Sequence, residues 1–269
     1  MATLVCFHAH PDDESIATGG TMALAADAGH EVVLVVATRG EHGEAQPGVL
    51  ADGEELWRRR VEETYASAEI LGVSRVEFLG YRDSGMMGEP TNDDPRCFWR
   101  ADLEEAADRL AAILEEVGAD VLTIYDDHGG YGHPDHIQVH RVGRLAAERV
   151  GVRHVFQVTM NRDQIRELMS EASEELEAAL DDEPRDRVGA DEFGSPATLI
   201  THAVDVRRVL SRKRASMEAH RSQIGPETFF LKMPPEAFAH AFGTEWYIEL
   251  GRVRAAGEPF ATDLFAGVG

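Results

Sequence analysis

Two short polar runs hold most of the residues able to do chemistry: His8-Ala9-His10-Pro11-Asp12-Asp13-Glu14 near the start, and Tyr131-Gly132-His133-Pro134-Asp135-His136 near the middle. His10 and Asp13 stand three apart across Pro11, whose ring restricts the backbone, so both side chains can point at one ion. His136 supplies a third ligand from the second run. Two imidazoles and a carboxylate, with a position left for water, form the ligand set of catalytic zinc or, in a reducing cell, of ferrous iron. A closed structural site would want a fourth protein ligand, and neither run contains a thiol.

The neighbouring residues complete a hydrolytic set. Asp12 sits beside the ligands but cannot reach the same ion in the same direction, which suits it to take a proton from an activated water. His133, when protonated, can donate to a leaving amine or an oxyanion, and Asp135 can orient its ring or raise its pKa. The Tyr131 hydroxyl can stabilise a developing oxyanion. Each residue also has a purely structural use: Asp12 suits the N-cap of a helix starting near Ser15, and Asp135 that of a helix after Pro134.

Short apolar runs alternate with longer helical patterns and must position these groups. Strands are expected over residues 4–7, 32–37, 76–79, 121–125 and 154–159, with helices over 15–28, 54–71, 102–117 and 137–150. That alternation predicts an α/β fold: a Rossmann-like, mostly parallel sheet with helices on both faces and a smaller C-terminal helical and strand portion. Residues 1–160 are expected to form the metal-binding catalytic core, and 161–269 to complete the same domain and the substrate cleft. In the clearest helix, Leu103, Ala106, Leu110, Ile113, Leu114 and Val117 make one stripe, and Gly118 stops it. Residues 81–100 read as a long loop. Ile165, Leu168, Met169, Ala172 and Leu176 mark a further helix that runs into an acidic linker over 171–192. Then come a helix over 204–220, a short helix over 235–242 and a strand over 245–250. Both polar runs follow expected strands, and the carboxyl ends of parallel strands are where such sheets bind ligands.

Composition narrows the function further. The 269 residues carry a formal net charge of −23, which repels phosphate backbones and anionic lipid, so neither nucleic acid nor a membrane is an expected partner. Only Cys6 and Cys97 are present, too few for a disulfide framework, and the N-terminal stretch lacks a basic and apolar leader. A cytoplasmic protein acting on a small molecule, alone or as a homo-oligomer, is expected. No G-x-G-x-x-G follows the first strand, since Gly19-Gly20 comes too late, which argues against dinucleotide binding.

Together, Ala9-His10-Pro11-Asp12-Asp13-Glu14 and His133-Pro134-Asp135-His136 resemble the LmbE-like, or PIG-L, family of zinc-dependent N-deacetylases. The likeness extends through Arg59-x-x-Glu62 ahead of Leu71-Gly72-Val73, through Tyr81-Arg82-Asp83-Ser84-Gly85-Met86, and through Lys213-Arg214-Ala215 to His220-Arg221-Ser222-Gln223. It implies zinc on His10, Asp13 and His136, Asp12 as general base, and an N-acetylated aminosugar as substrate, deacetylated to acetate and a free amine. In the subgroup acting on the glucosaminyl-inositol precursor of mycothiol, a Tyr-Gly-His-Pro-Asp-His run also occurs, which assigns Tyr131 to the oxyanion and His133 to the acid. Family amidases acting on mycothiol conjugates often have a Lys soon after the first motif. This chain has Ser15-Ile16-Ala17-Thr18-Gly19 there, which weighs against that alternative.

The same likeness places Arg59 on substrate hydroxyls or a phosphate, against the simpler reading of a salt bridge to Glu62 or Glu63. Asp83 would accept from sugar hydroxyls, or else form an Asx-turn. His220 would close the site from the C-terminal part, or else pack in the core. Glu14 reads as a support behind the ligands or a helix N-terminal charge, and His8 as a sheet residue.

Overall fold

The computed structural model describes residues 1–171 and 193–268. Thr3–His8 (β1), Glu31–Val36 (β2) and Val121–Tyr125 (β4) are buried on both faces, Glu31 alone being exposed. Uninterrupted apolar runs of this kind belong to parallel strands covered on both sides. With Arg75–Phe78 (β3), His154–Thr159 (β5), His202–Asp205 (β6) and Thr244–Glu249 (β7) they make one seven-stranded sheet, ordered β3-β2-β1-β4-β5-β7-β6. β1 pairs in parallel with β2 and β4, β2 with β3, and β4 with β5. β7 runs antiparallel to both β5 and β6. The expected mostly parallel α/β sheet is therefore present, and its order reverses between β1 and β4, the strands that precede the two polar runs.

The expected helix over 15–28 is two helices, Asp13–Ala17 (α1) and Gly19–Asp27 (α2), broken at Thr18. The Thr18 hydroxyl bonds His8 Nε2 at 2.8 Å and the Glu14 carbonyl at 3.3 Å, taking the residue out of helical geometry. At Gly20 any Cβ would lie 2.4 Å from Cβ of Val206, so α2 can approach that segment only through glycine. Leu56–Leu71 (α3) and Leu103–Val117 (α4) follow; Asp102 caps α4 by accepting from Glu105 N at 3.0 Å. On α4, Ala106, Leu110 and Leu114 are buried as the stripe predicts, but Leu103, in the first turn, is 36% exposed.

Residues 126–136 hold a short helix not expected from sequence, Gly129–Gly132 (α5), and Pro134–Val150 (α6) begins three residues earlier than expected. Pro134 occupies the first turn of α6, where its missing N–H costs nothing, and His133 Nδ1 caps it by accepting from Asp135 N at 3.1 Å. Arg162–Glu171 (α7) matches the start of the helix expected there. Ala172, Leu176 and the acidic stretch up to Glu192 lie outside the described residues.

The helix expected over 204–220 is corrected: Val204 and Asp205 belong to β6, Arg207–Val209 is a 3-10 turn, and the helix is Leu210–Ala219 (α8). Pairing of Val204 with Glu245 and Asp205 with Thr244 overrides the local helical pattern. Phe229–Lys232 (α9) and Pro235–Phe242 (α10) pack on a small cluster around Met217, Ile224, Met233 and Phe238. The main core lies between the sheet and two helix groups, α4 with α6 and α2 with α3 and α8. The segment 81–100 is a loop with two 3-10 turns, pinned by the fully buried Phe98. Among the described residues no helix is long and apolar enough to cross a membrane.

Candidate active site

Beyond the carboxyl end of β1 the chain turns sharply. The His10 amide donates to Asp13 Oδ2 at 2.8 Å, and Asp12 takes φ of +91°, the one positive φ at a non-glycine among the described residues. Such a conformation costs about 1–3 kcal/mol and persists only where neighbours enforce it. Arg60, from α3, is one such neighbour: its guanidinium donates to the Pro11 carbonyl at 2.6 Å and to the Gly40 carbonyl at 2.9 Å, and reaches Asp12 Oδ2 at 3.3 Å.

Beyond β4, the buried carboxylate of Asp126 accepts from Gly130 N and from the Thr159 hydroxyl, both at 2.6 Å, and so folds α5 back toward the sheet. At Gly129, with φ of +70°, any Cβ would lie 2.7 Å from Cβ of His136, so α5 meets α6 only through glycine. His136, in the first turn of α6, stacks on Tyr125 with ring centroids 4.2 Å apart and planes 11° from parallel.

The two runs meet at Asp13. Its Oδ2 lies 3.4 Å from His10 Nδ1 and 3.4 Å from His136 Nε2. The Tyr131 hydroxyl is 3.4 Å from His136 Nε2, and the His133 ring centroid is 4.6 Å from that of His10. One ring nitrogen each from His10, His133 and His136 lies within 4.8 Å of the others, as do donor atoms of His10, Asp83, His133 and Asp135. A nitrogen and carboxylate donor set without thiolate fits a divalent transition ion of borderline hardness. The structure thus sets Asp13 between His10 and His136, while the two groups whose donor atoms all lie within 4.8 Å of one another join His10 to His133 and His136 and to Asp83, His133 and Asp135, without Asp13.

Charge follows this crowding. Burial opposes a charged His10, yet Asp83, Asp13 and Asp135 hold its pKa well above the ordinary value. Burial likewise works against the Asp13 carboxylate, but the His136 and His10 imidazoles hold it well below the ordinary range. His133 is pushed well below its ordinary value by burial and by those same imidazoles. Burial raises Asp12 to about 6, with Arg60 pulling the other way. Burial and the Asp13 charge raise the Tyr131 hydroxyl, which stays protonated at neutral pH.

Several expectations are corrected. Asp135 does not turn its carboxylate to the His133 ring; it accepts from Ser84 N at 2.9 Å, from the Ser84 hydroxyl and from His10 Nε2 at 3.2 Å. Nor does Asp135 cap α6, since His133 does. Asp12 occupies the N-cap of α1 without a side-chain capping bond. Arg59 bonds Glu54 at 2.7 and 2.9 Å, pairing neither with the cluster nor with Glu62 or Glu63. The inward residue is Arg60, 4% exposed, together with Glu63, which accepts from Ser222 N at 2.9 Å and from its hydroxyl at 2.6 Å. One step along a helix rotates a side chain by about 100°, and the buried stripe Arg60, Thr64, Ser67, Leu71 is the signal that could have found it.

Asp83 takes the turn-forming reading and also stands beside the cluster. It makes an Asx-turn onto Gly85 N at 2.8 Å, accepts from His42 N at 3.1 Å, and lies 3.5 Å from His10 Nε2. His220 is fully buried with Nε2 2.5 Å from Glu14 Oε1. His8 closes β1 as a buried sheet residue, bonded to the Tyr125 hydroxyl and to Thr18, each at 2.8 Å.

An open α/β sheet with imidazoles and carboxylates gathered where its strand order reverses defines an enzyme-like α/β protein with a side-chain group able to hold a metal ion at the switch point. Residues 5–147 match the PIG-L family, described as GlcNAc-PI de-N-acetylase. The chain belongs to this family, as its two motifs implied. It is 42% identical to a 1D-myo-inositol 2-acetamido-2-deoxy-alpha-D-glucopyranoside deacetylase of Acidothermus cellulolyticus, over 100% of this chain and 96% of that one. A protein of the same name from Nocardiopsis dassonvillei is 41% identical, covering 97% and 99%. The fold is similar to that of N,N'-diacetylchitobiose deacetylase from Pyrococcus horikoshii, with a TM-score of 0.54 and 21% identity over 92% of this chain and 83% of that one.

Proposed function

We propose that the chain is a metal-dependent N-deacetylase that hydrolyses the acetamide of an N-acetylglucosaminyl inositol, releasing acetate and a free amine. The observation that carries this is the meeting of the two motif runs at Asp13, 3.4 Å from both imidazoles. Full-length similarity to relatives named for that reaction supports the substrate class and favours acetyl removal over an amidase acting on thiol conjugates. His10, Asp13 and His136 would hold the cation, zinc in our reading, with ferrous iron the alternative. The chemistry supplied there is Lewis acidity toward an amide carbonyl and a water.

This chain's own groups do the rest. Asp12, half-buried beside the ligands, takes the proton of the attacking water as its oxygen bonds the carbonyl carbon. The Tyr131 hydroxyl, held protonated, donates to the oxyanion of the tetrahedral adduct. His133 is neutral in the fold. With its Nδ1 accepting the Asp135 amide, its Nε2 carries the proton and faces the departing nitrogen. The ring's Nε2–H hydrogen-bonds the departing nitrogen, and the proton that Asp12 took from the water passes to that nitrogen as the C–N bond breaks. Asp83 would accept from substrate hydroxyls, and Asp135 braces both His10 and the loop carrying Ser84. Cys6 and Cys97, both unpaired, accord with a cytoplasmic setting.

The test is acetate release from the N-acetylglucosaminyl inositol by protein reloaded with zinc or ferrous iron, beside a bulky thiol-conjugate amide. A higher kcat/KM for the acetylated sugar is expected. No acetate from any acetylated aminosugar, with metal bound, would overturn the proposal.

A further inference from the structure

Behind the ligand-bearing turn lies a buried cluster to which the mechanism assigns no task. Glu14 is fully buried in the first turn of α1. Its Oε2 accepts from the Asp12 amide at 3.0 Å. Its Oε1 accepts from the Ser67 hydroxyl of α3 at 2.6 Å and from His220, at the end of α8, at 2.5 Å. His220 is itself fully buried, and its Nδ1 has no hydrogen-bond partner. One carboxylate therefore ties the backbone of Asp12 to two helices distant in sequence.

A fully buried carboxylate needs compensating donors, and Glu14 has three. Two of them, Ser67 and His220, fix where the carboxylate stands; the third is the amide of the residue with φ of +91°. An amide in that conformation has no helical or strand partner, so its donor must be met by a group placed for it. Arg60 holds the same turn from the carbonyl side, through Pro11. The turn is thus gripped at both of its backbone dipoles, and only the grip on the amide depends on the C-terminal part of the chain.

We propose that Glu14 and His220 form a positioning pair: anchored by His220, Glu14 fixes the strained backbone of Asp12 and so aims the carboxylate that accepts the water proton. The inference rests on the reading of Asp12 as base. Neither residue touches substrate; both act through Asp12.

The experiment is a mutant cycle on the metal-loaded protein, with metal content and crystal structures measured alongside kinetics. Glu14→Ala is expected to lower kcat by about 10²-fold, as a small misplacement of a reacting group does, with KM and bound metal per chain unchanged. Glu14→Gln, which keeps an acceptor for the Asp12 amide, should restore most of the loss. In an Asp12→Ala background, Glu14→Ala should cost nothing more, because residues acting as a unit are not additive. The Glu14→Ala structure should show Asp12 relaxed to negative φ. His220→Gln is the milder variant, expected to lower kcat about tenfold, in case removal of Glu14 prevents folding. An equal kcat loss from Glu14→Ala in both backgrounds, or Asp12 still at positive φ with turnover intact, overturns the pair. If Asp12→Ala itself retains full turnover, it is the base assignment that fails.

Discussion

The guanidinium of Arg60 stands 3.3 Å from Asp12 Oδ2 while donating to the Pro11 carbonyl at 2.6 Å, so one side chain fixes both the carboxylate and the peptide before it. Arg59, its neighbour, is bound to Glu54 and shares none of this. Arg60→Ala should therefore lower kcat by about 10²-fold, whereas Arg59→Ala should leave turnover and melting temperature unchanged. Steady-state kinetics on the two variants checks the helix phase directly.

Metal binding and proton transfer separate by variant. Replacing His10, Asp13 or His136 with Ala should empty the site, read as metal per chain after dialysis. Asp12→Ala should retain the metal while kcat falls by about 10²–10⁴-fold. Chelation of the wild-type protein should abolish acetate release, and added zinc or ferrous iron should restore it.

Lys213 and Glu245 form a buried ion pair at 2.6 Å, and Glu245 also accepts from Gly20 N at 2.7 Å and Thr21 N at 2.8 Å. Lys213→Met would leave that carboxylate without its cation, at a cost of about 3–5 kcal/mol. Denaturant unfolding should show the loss, and Lys213→Met combined with Glu245→Gln should show less than the sum of the single variants.

His202 bears on pH. It is buried against Phe156, with Thr201 on Nδ1 and Glu249 3.9 Å from Nε2. Burial lowers its pKa, with Arg252 acting in the same sense and Glu249 and Asp263 opposing. Below pH about 6.5 the unfolded chain takes up a proton that the folded chain refuses. This contribution to stability is thus full above that pH and is lost as pH falls toward the lowered value. Stability measured across that window should drop, and His202→Gln should flatten the drop.

Much of this was legible in the sequence because parallel strands covered on both faces leave unbroken apolar runs, and both polar clusters directly follow such runs. β6 was not legible: four residues ahead of an arginine-rich helical pattern carry too little periodicity, and pairing with β7 decides their fate. α5 escaped notice because Gly129-Gly130-Tyr131-Gly132 reads as a loop; the Asp126 carboxylate bonded to the Gly130 amide makes it a helix. The metal-ligand candidates were legible as a local spacing. Arg60 was not, since Arg58-Arg59-Arg60 facing Glu62-Glu63 gives equal spacings in two registers, and only burial separates them. The partner of Asp135 is Ser84, 51 residues away, and no local pattern announces such a contact.

Glu245 joins the amides that open α2 from a strand 225 residues further along the chain. During synthesis the His10 turn therefore emerges long before the carboxylate that seats the helix behind it. A nascent or shortened polypeptide lacking β7 would carry every candidate ligand yet hold them loosely, so affinity for the cation should arise late, as one of the last acts of folding.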